Sequence, residues 1–313
     1  MNYKQTLHEV SETYRTIVAE AGEPPETANR LMSVFVKLVE EQVRAPHTFE
    51  PYHRQITAPF DYYAFGVEFL RPLMDKSRST FTGREVMQRV ATQLAAGENV
   101  IFLANHQNEA DPQAISILLE DEFPAIGREM IFVAGERVIT DPLTAPFSMG
   151  RNLLCIFSKR HIDHPPDQKA AKQLHNRRAL EQMTQLLSDG GHCIYVAPSG
   201  GRDRINKAGV VDVAPFDAQS VEMFHLMAQR ATRPTHFYPM ALATYHFMPP
   251  PDTVQVEIGE PRRISRSPIH MAIAPEIDMH AFDQLDRHER REARAQAAWR
   301  AVCEAYARFP ADR

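Results

Sequence analysis

The clearest architectural signal lies in residues 100–119, which read VIFLANHQNEADPQAISILL. The uninterrupted apolar run Val100–Ala104 predicts a strand that is buried on both faces. The polar stretch Asn105–Asp111 predicts a turn where that strand ends. Asp111 and Pro112 are typical of a helix start, with the aspartate as N-cap and the proline at the first helical position. A strand, a polar turn and a helix in this order predict an α/β fold.

The same alternation continues on both sides of this stretch, from about residue 84 onward. It predicts a mixed, mostly parallel sheet that is covered by helices. The predicted strands are Val100–Ala104, Met130–Ala134, Leu153–Phe157, Cys193–Ala197, His236–Thr244 and Thr253–Ile258. The predicted helices are Arg84–Ala96, Pro112–Leu119, Gln168–Leu187, Asp217–Arg230 and Phe282–Phe309. In such sheets ligands bind beyond the carboxyl ends of the strands, so the residues that follow each strand are the candidates for function.

Residues 1–75 show only helical periodicity, as in the spacing of Leu7, Val10, Tyr14 and Val18. This pattern predicts a small N-terminal helical-bundle domain over residues 1–75. The link Lys76–Gly83 would join it to an α/β domain over residues 76–313.

Composition excludes several classes of protein. Of the 313 residues, 43% are hydrophobic and 24% are charged, which is typical of a globular chain. Three widely separated cysteines exclude a disulfide framework. The apolar runs are far shorter than the roughly 20 residues that cross a bilayer, so no membrane span is predicted. The first 20 residues lack the apolar core of a signal peptide, which predicts a cytoplasmic or already mature chain.

Charge is distributed unevenly along the chain. The net charge is −5, from 35 basic and 40 acidic residues, which argues against nucleic-acid binding. Residues 151–207 nevertheless contain ten Lys or Arg and only five Asp or Glu. This cationic segment in an acidic chain predicts a site for a small anion.

His106 and Asp111 are the first candidates for chemistry. His106 follows the first predicted strand, and Asp111 lies five residues later in a turn that can bring its carboxylate back to one ring nitrogen. Such a pair fixes the imidazole tautomer and supports its charge, which is the arrangement of an oriented general base. Taken alone, Asp111 could equally be only a helix cap.

A metal site is the alternative for this turn, since Glu109 joins His106 and Asp111 as a third ligand type. A second set of ligand types, His161, Asp163 and His164, lies beside Lys159 and Arg160, whose charges disfavour a divalent cation. The first set also lacks convincing partners, so no metal is predicted.

Two basic clusters follow later strands and predict a phosphate pocket. Arg160 and His161 follow the third strand, and Arg202 and Arg204 follow the fourth, after a Gly-Gly pair that lets backbone N–H groups approach closely. A solvated charge run is the alternative for either cluster alone. Ser199 approximates the nucleophile elbow of a serine esterase, but a loop sequence follows it where that elbow needs a helix. No nucleotide-binding fingerprint occurs.

The block Asn105–Pro112 contains the H-x4-D motif of the glycerolipid acyltransferases. The chain resembles the plastid-type, soluble glycerol-3-phosphate 1-O-acyltransferases over about residues 84–280. The resemblance continues through Val133–Pro142, Phe147–Leu153, Ala197–Arg204, Tyr238–Met240, Met248–Pro250 and Ile273–Ile277.

This resemblance implies a cofactor-free transfer of a fatty acyl group from a thioester to the 1-hydroxyl of glycerol 3-phosphate, giving lysophosphatidate in the first step of phospholipid biosynthesis. It implies that His106 and Asp111 are catalytic. It also implies that the phosphate is bound by Arg160, His161, Arg202 and Arg204. Arg160 stands where the family pattern has lysine. Two alternatives remain, acyl transfer to 1-acylglycerol 3-phosphate and a catalytically silent acyl-carrier or lipid-binding protein.

The resemblance further implies that acyl-carrier protein, or acyl-CoA, is the donor. An acidic carrier protein needs a basic docking surface, and the C-terminal helix offers Arg287, Arg290, Arg291, Arg294 and Arg300. A solvated helix face balanced by acidic neighbours explains these arginines equally well. The expected location is a bacterial cytoplasm, with the plastid stroma, for a mature chain, as the alternative.

Overall fold

A computed structural model describes residues 3–158, 162–250 and 263–311 of the chain. The helices are α1 (Tyr3–Glu20), α2 (Pro25–Arg44), α3 (Tyr62–Leu70), α4 (Arg84–Ala95), α5 (Asp111–Leu119), α6 (Pro124–Glu129), α7 (Arg137–Thr140), α8 (Ala145–Ser148), α9 (Lys169–Asp189), α10 (Ala218–Arg230) and α11 (Arg287–Ala307). The strands are β1 (Tyr52–His53), β2 (Thr80–Thr82), β3 (Asn99–Ala104), β4 (Ile131–Ala134), β5 (Asn152–Cys155), β6 (Cys193–Val196), β7 (Arg204–Ile205), β8 (Val211–Asp212), β9 (Thr235–Ala243) and β10 (His270–Ile273).

Most elements match the sequence prediction, and the differences have local causes. The predicted strand Thr253–Ile258 lies outside the described residues. The last helix begins at Arg287 and not at Phe282, because the Asp286 side chain accepts hydrogen bonds from the backbone N–H groups of His288 and Glu289 and so caps a new helix. The expectation of helices alone before residue 75 is wrong at β1. The expected link Lys76–Gly83 contains β2, and β10 was not predicted.

Within the described residues the main sheet has eight strands in the order β1-β5-β4-β6-β3-β9-β10-β2. The central strands β5, β4, β6, β3 and β9 run parallel, while β1 and β10 pair antiparallel with their neighbours β5 and β9. The sheet is therefore mixed and mostly parallel, which confirms the predicted fold class. A separate ribbon joins β7 and β8.

Strand β3 lies at the centre of the sheet, and every one of its residues is fully buried. Ile101 and Leu103 face one layer, where they join the apolar cluster of α9, α10 and α11. Val100 and Phe102 face the other layer and pack with residues of α4 and α5. Because both faces are covered, the apolar run needs no polar alternation, and only its carboxyl end can present polar groups.

The N-terminal helices pack directly against the α/β part of the chain. Residues of α1, α2 and α3 share one apolar cluster with Ala110, Ala114 and Ile117, the last two of which belong to α5. The Gln42 side chain on α2 donates a hydrogen bond to the Ile139 carbonyl oxygen. The helical layer thus bears on the helix that starts at Asp111, and the domain boundary at residue 75 stays a prediction. No helix in the described ranges combines the length and apolar character needed to cross a membrane.

Candidate active site

Three neighbouring strand ends meet at one place. Strand β3 lies between β6 and β9 and runs parallel to both, so the segments that follow these three strands leave the same edge of the sheet. These segments are residues 105–110 after β3, residues 197–203 after β6 and residues 244–247 after β9. A site at this edge is what a parallel sheet favours.

The predicted hydrogen bond between His106 and Asp111 is present. Nδ1 of His106 lies 2.8 Å from Oδ2 of Asp111. A carboxylate can only accept, so Nδ1 carries the proton and Nε2 has the lone pair. The His106 side chain is 30% exposed, whereas that of Asp111 is 1% exposed. The ring is therefore held at Nδ1 by a buried carboxylate, and part of the side chain is exposed.

Asp111 is the first residue of α5 and not its cap, which corrects the sequence prediction by one position; Ala110 is the N-cap, without a side-chain hydrogen bond. The Asp111 carboxylate turns back into the preceding loop. Besides His106, it accepts from the Gln107 backbone N–H at 2.9 Å and from the Thr244 hydroxyl at 2.5 Å. These donors make Asp111 an orienting group for the imidazole and account for its burial.

Sequence reasoning missed the amide side chains on either side of His106. Asn105 and Gln107 are fully buried, and both donate to Oδ2 of Asp203, at 2.7 and 3.1 Å. Gln107 also accepts from the backbone N–H groups of Thr244 and Tyr245. One signal in the sequence could have indicated these residues. His106 lies between two amide residues, Asn105 and Gln107, directly after a buried strand.

Asp203 is the buried anion of this loop cluster. Its Oδ1 accepts from the Ala214 backbone N–H at 2.9 Å, and its own N–H donates to the His106 carbonyl oxygen at 2.7 Å. Burial raises the pKa of Asp203 to about 6, against the opposing effect of its hydrogen bonds with Ala214, Asn105 and Gln107. The Tyr195 hydroxyl donates to the Asn105 carbonyl oxygen at 2.6 Å, and burial raises the pKa of Tyr195.

The structure places one predicted phosphate cluster beside His106. Nη1 of Arg202 donates to Oε1 of Glu109 at 3.1 Å, and Glu109 belongs to the same loop as His106. Arg204 follows two residues later, at the start of β7. Arg160 and His161 lie outside the described residues, so their predicted role stays a prediction. They follow β5, which is separated from β6 by β4.

The serine esterase alternative lacks its geometry. After Ser199 the chain continues through Gly200 and Gly201 into strand β7, whereas a nucleophile elbow needs a helix at this point. The Ser199 hydroxyl donates to the Gly201 carbonyl oxygen at 2.9 Å. For the metal alternative, the described part of the chain contains no group of three His, Cys, Asp or Glu side chains placed to hold an ion. His161 of the second set lies outside that part.

Comparison with known proteins gives the family. A profile of the acyltransferase family matches residues 78–243. A chloroplastic glycerol-3-phosphate acyltransferase of Arabidopsis thaliana is 40% identical over 310 residues, covering 97% of this chain and 68% of that protein. The chloroplastic enzyme ATS11 of Cucurbita moschata is 39% identical, covering 97% and 69%. The Spinacia oleracea enzyme is 38% identical, covering 94% and 63%. With His106, Asp111 and Arg202 inside the matched region, this chain belongs to the acyltransferase family, in its plastid-type glycerol-3-phosphate acyltransferase group.

Proposed function

We propose that this acyltransferase moves a fatty acyl group from a thioester to the 1-hydroxyl of glycerol 3-phosphate, with His106 as general base. The observation that carries the proposal is the hydrogen bond between His106 Nδ1 and the buried Asp111 carboxylate, at the meeting point of three strand ends. The relatives are named as glycerol-3-phosphate acyltransferases, which supports the same acceptor.

The reaction needs one proton shuttle and no acyl-enzyme. Nε2 of His106 removes the proton from the 1-hydroxyl as the oxygen attacks the thioester carbonyl carbon. Asp111 stabilises the imidazolium that forms. When the tetrahedral intermediate collapses, the carbon–sulfur bond breaks and the imidazolium returns its proton to the departing thiolate. The products are a free thiol and 1-acylglycerol 3-phosphate.

Phosphate binding positions the hydroxyl. Arg202 lies next to the His106 loop, and Arg204 is two residues away along the chain. Guanidinium groups suit phosphate oxygens, since they donate two parallel hydrogen bonds. Holding the phosphate at this edge of the sheet converts binding into effective concentration of the hydroxyl at the base. We assign the same role to Arg160 and His161.

The identity of the acyl donor is a separate part of the proposal. An acyl-carrier protein donor is supported only by the group to which the chain belongs, and acyl-CoA remains the alternative. The named relatives are chloroplast proteins, which favours a plastid location over the bacterial cytoplasm.

A turnover assay tests the reaction. Release of free thiol would be followed with acyl-carrier protein and coenzyme A donors, each crossed with glycerol 3-phosphate and with lysophosphatidate as acceptors. We expect thiol release that depends on glycerol 3-phosphate. Turnover only with lysophosphatidate would assign the chain to the second acylation, and binding without turnover would make it a carrier or lipid-binding protein.

A further inference from the structure

One buried group of the site has no part in the proton shuttle or in phosphate binding. The Asp203 carboxylate is fully buried, lies below the loop that carries His106, and is flanked along the chain by Arg202 and Arg204. Burying a carboxylate is costly unless its hydrogen bonds are satisfied, so its presence at this place needs an explanation.

Four hydrogen bonds fix Asp203 to its surroundings. Three reach the carboxylate, from the Asn105 and Gln107 side chains and from the Ala214 backbone. The fourth runs from the Asp203 N–H to the His106 carbonyl oxygen. Two of the donors are the immediate neighbours of His106. The side chain and the backbone of Asp203 are therefore both hydrogen-bonded to the loop that carries the proposed base.

Anchoring Asp203 also fixes the backbone positions of its two neighbours, Arg202 and Arg204. Consecutive Cα atoms are separated by a fixed distance of about 3.8 Å, so anchoring Asp203 fixes the backbone from which Arg202 and Arg204 extend. Arg202 has a second tie, through Glu109 on the loop of His106. We propose that Asp203 is a positioning residue that sets the distance between the phosphate-binding arginines and the imidazole of His106, a role that rests on the proposed function.

The network requires an acceptor at both oxygens of residue 203. Oδ2 faces two amide N–H donors, and Oδ1 faces the Ala214 N–H. An ionised carboxylate is an acceptor at both positions, whereas asparagine of the same shape must place its NH₂ group against donors in either orientation. Asp203→Asn therefore breaks the network without a change in side-chain volume.

The test separates the two substrates. In Asp203→Asn we expect kcat/KM for glycerol 3-phosphate to fall about 100-fold, the effect of a displacement of about 1 Å. The KM for the acyl donor should stay within about twofold, because the proposed function assigns the arginines to the phosphate of glycerol 3-phosphate. Asp203→Glu keeps both acceptors but lengthens the side chain, so the same selective loss is expected from it and it replaces Asp203→Asn if that variant does not fold.

A second-site change tests whether the hydrogen bond between residues 107 and 203 carries this selective loss. Gln107→Glu keeps the acceptor for the Thr244 and Tyr245 N–H groups but sets a carboxylate against Asp203. In the double variant with Asp203→Asn, the new glutamate accepts from the new amide, while the Asn105 amide still opposes it, so the recovery is partial. We expect each single change to be harmful and the double variant to recover about tenfold in kcat/KM over either one.

Glu222→Gln is the matched control. Glu222 is also a buried carboxylate, but it bonds Arg294 at 2.6 Å between α10 and α11. This variant should lower Tm and leave the KM for glycerol 3-phosphate unchanged. If Asp203→Asn behaves in the same way, or if the double variant shows no recovery, Asp203 is not a positioning residue. Absence of glycerol-3-phosphate-dependent turnover in the unaltered protein would instead reject the proposed function.

Discussion

At the scale of single residues, Asp111 shows how one carboxylate can serve a ring and a loop together. Its Oδ2 accepts from His106 and from the Gln107 N–H, and its Oδ1 accepts from Thr244. Asparagine keeps the shape but cannot accept at every one of these positions. We expect Asp111→Asn to lower kcat by about 10⁴-fold, the loss seen when an orienting aspartate is replaced in a serine protease. His106→Ala should remove nearly all transfer.

Steady-state kinetics and circular dichroism check this prediction together. Helix α5 should persist in Asp111→Asn because Ala110, and not Asp111, is its N-cap. An Asp111→Asn enzyme that keeps its activity within about tenfold would limit Asp111 to a structural role.

Arg202 belongs to the substrate side of the site. Arg202→Ser should raise the KM for glycerol 3-phosphate far more than the KM for the donor, since the phosphate loses a charged, bidentate contact. Initial rates at varied concentrations of each substrate measure the split. Arg230→Ser, at the exposed end of α10, is the control and should change neither constant. A change in the donor KM alone would move the phosphate site away from Arg202.

The sequence predicted His106 and Asp111 but not the groups that hold them. The pair could be predicted because a fixed spacing follows a recognisable strand. The partners of the amide network lie about 100 positions away along the chain, as Asn105 and Asp203 do. Such contacts depend on the order of strands in the sheet, which periodicity does not encode.

At the scale of elements, an uninterrupted apolar run or a helical period decided what could be predicted. The four-residue strands β4, β5 and β6 were predicted because each overlaps an apolar run, and the long helices were predicted because their period is visible. The strands β1 and β2 have two and three residues, too few for any period, and their place depends on the neighbours with which they pair.

Helix α11 corrects the basic docking surface suggested by the sequence. Arg294 is buried and donates to Glu222, Asp283 and the Met279 carbonyl oxygen. It therefore fastens α11 to α10 and is withdrawn from any surface. Arg294→Met should lower the free energy of unfolding by about 3–5 kcal/mol, because Glu222 is left buried without its partner. Urea unfolding measures the loss, and a change below about 1 kcal/mol would contradict this role.

The remaining arginines of α11 still allow a docking surface. Arg287 is exposed and Arg291 is half-buried, one helical turn apart. If an acidic carrier protein docks on this helix, Arg287→Glu with Arg291→Glu should weaken turnover with the acyl-carrier donor and spare turnover with acyl-CoA. Added salt should act alike, since exposed charges are screened over about 8 Å at physiological ionic strength. Lys37→Glu with Arg44→Glu on α2 is the charge-matched control, and equal loss with both donors would move the docking surface elsewhere.

At the scale of the whole molecule, two buried groups oppose each other in the response of stability to pH. Burial raises the pKa of Asp203 from 3.8 to about 6, so its stabilising contribution is present below pH 3.8 and is lost as pH rises through 6. Burial, helped by Arg294 and His280, lowers the pKa of His225 from 6.5 to about 4. The contribution of His225 is present above pH 6.5 and is lost as pH falls through 4.

The two contributions offset each other between about pH 4 and 6, where each has a slope of up to about 1.4 kcal/mol per pH unit. Asp203→Asn should therefore make the free energy of unfolding rise more steeply with pH than in the unaltered protein. His225→Gln should make the free energy of unfolding rise less steeply with pH than in the unaltered protein. Urea titrations from about pH 4 to 7 measure both slopes, and parallel curves for the three proteins would show that these groups do not titrate on unfolding.

The short strands at the two sides of the sheet bear on self-association. An edge strand offers unpaired N–H and C=O groups to any other chain, and proteins limit this hazard by keeping edge strands short. Among the described strands of this sheet, the outermost are Tyr52–His53 and Thr80–Thr82, which cover the edges of the longer strands β5 and β10. Both lie in segments that the sequence pattern alone would assign to helices or to a linker. These short strands therefore limit aggregation, because each offers few free backbone groups to which a strand of another copy could pair.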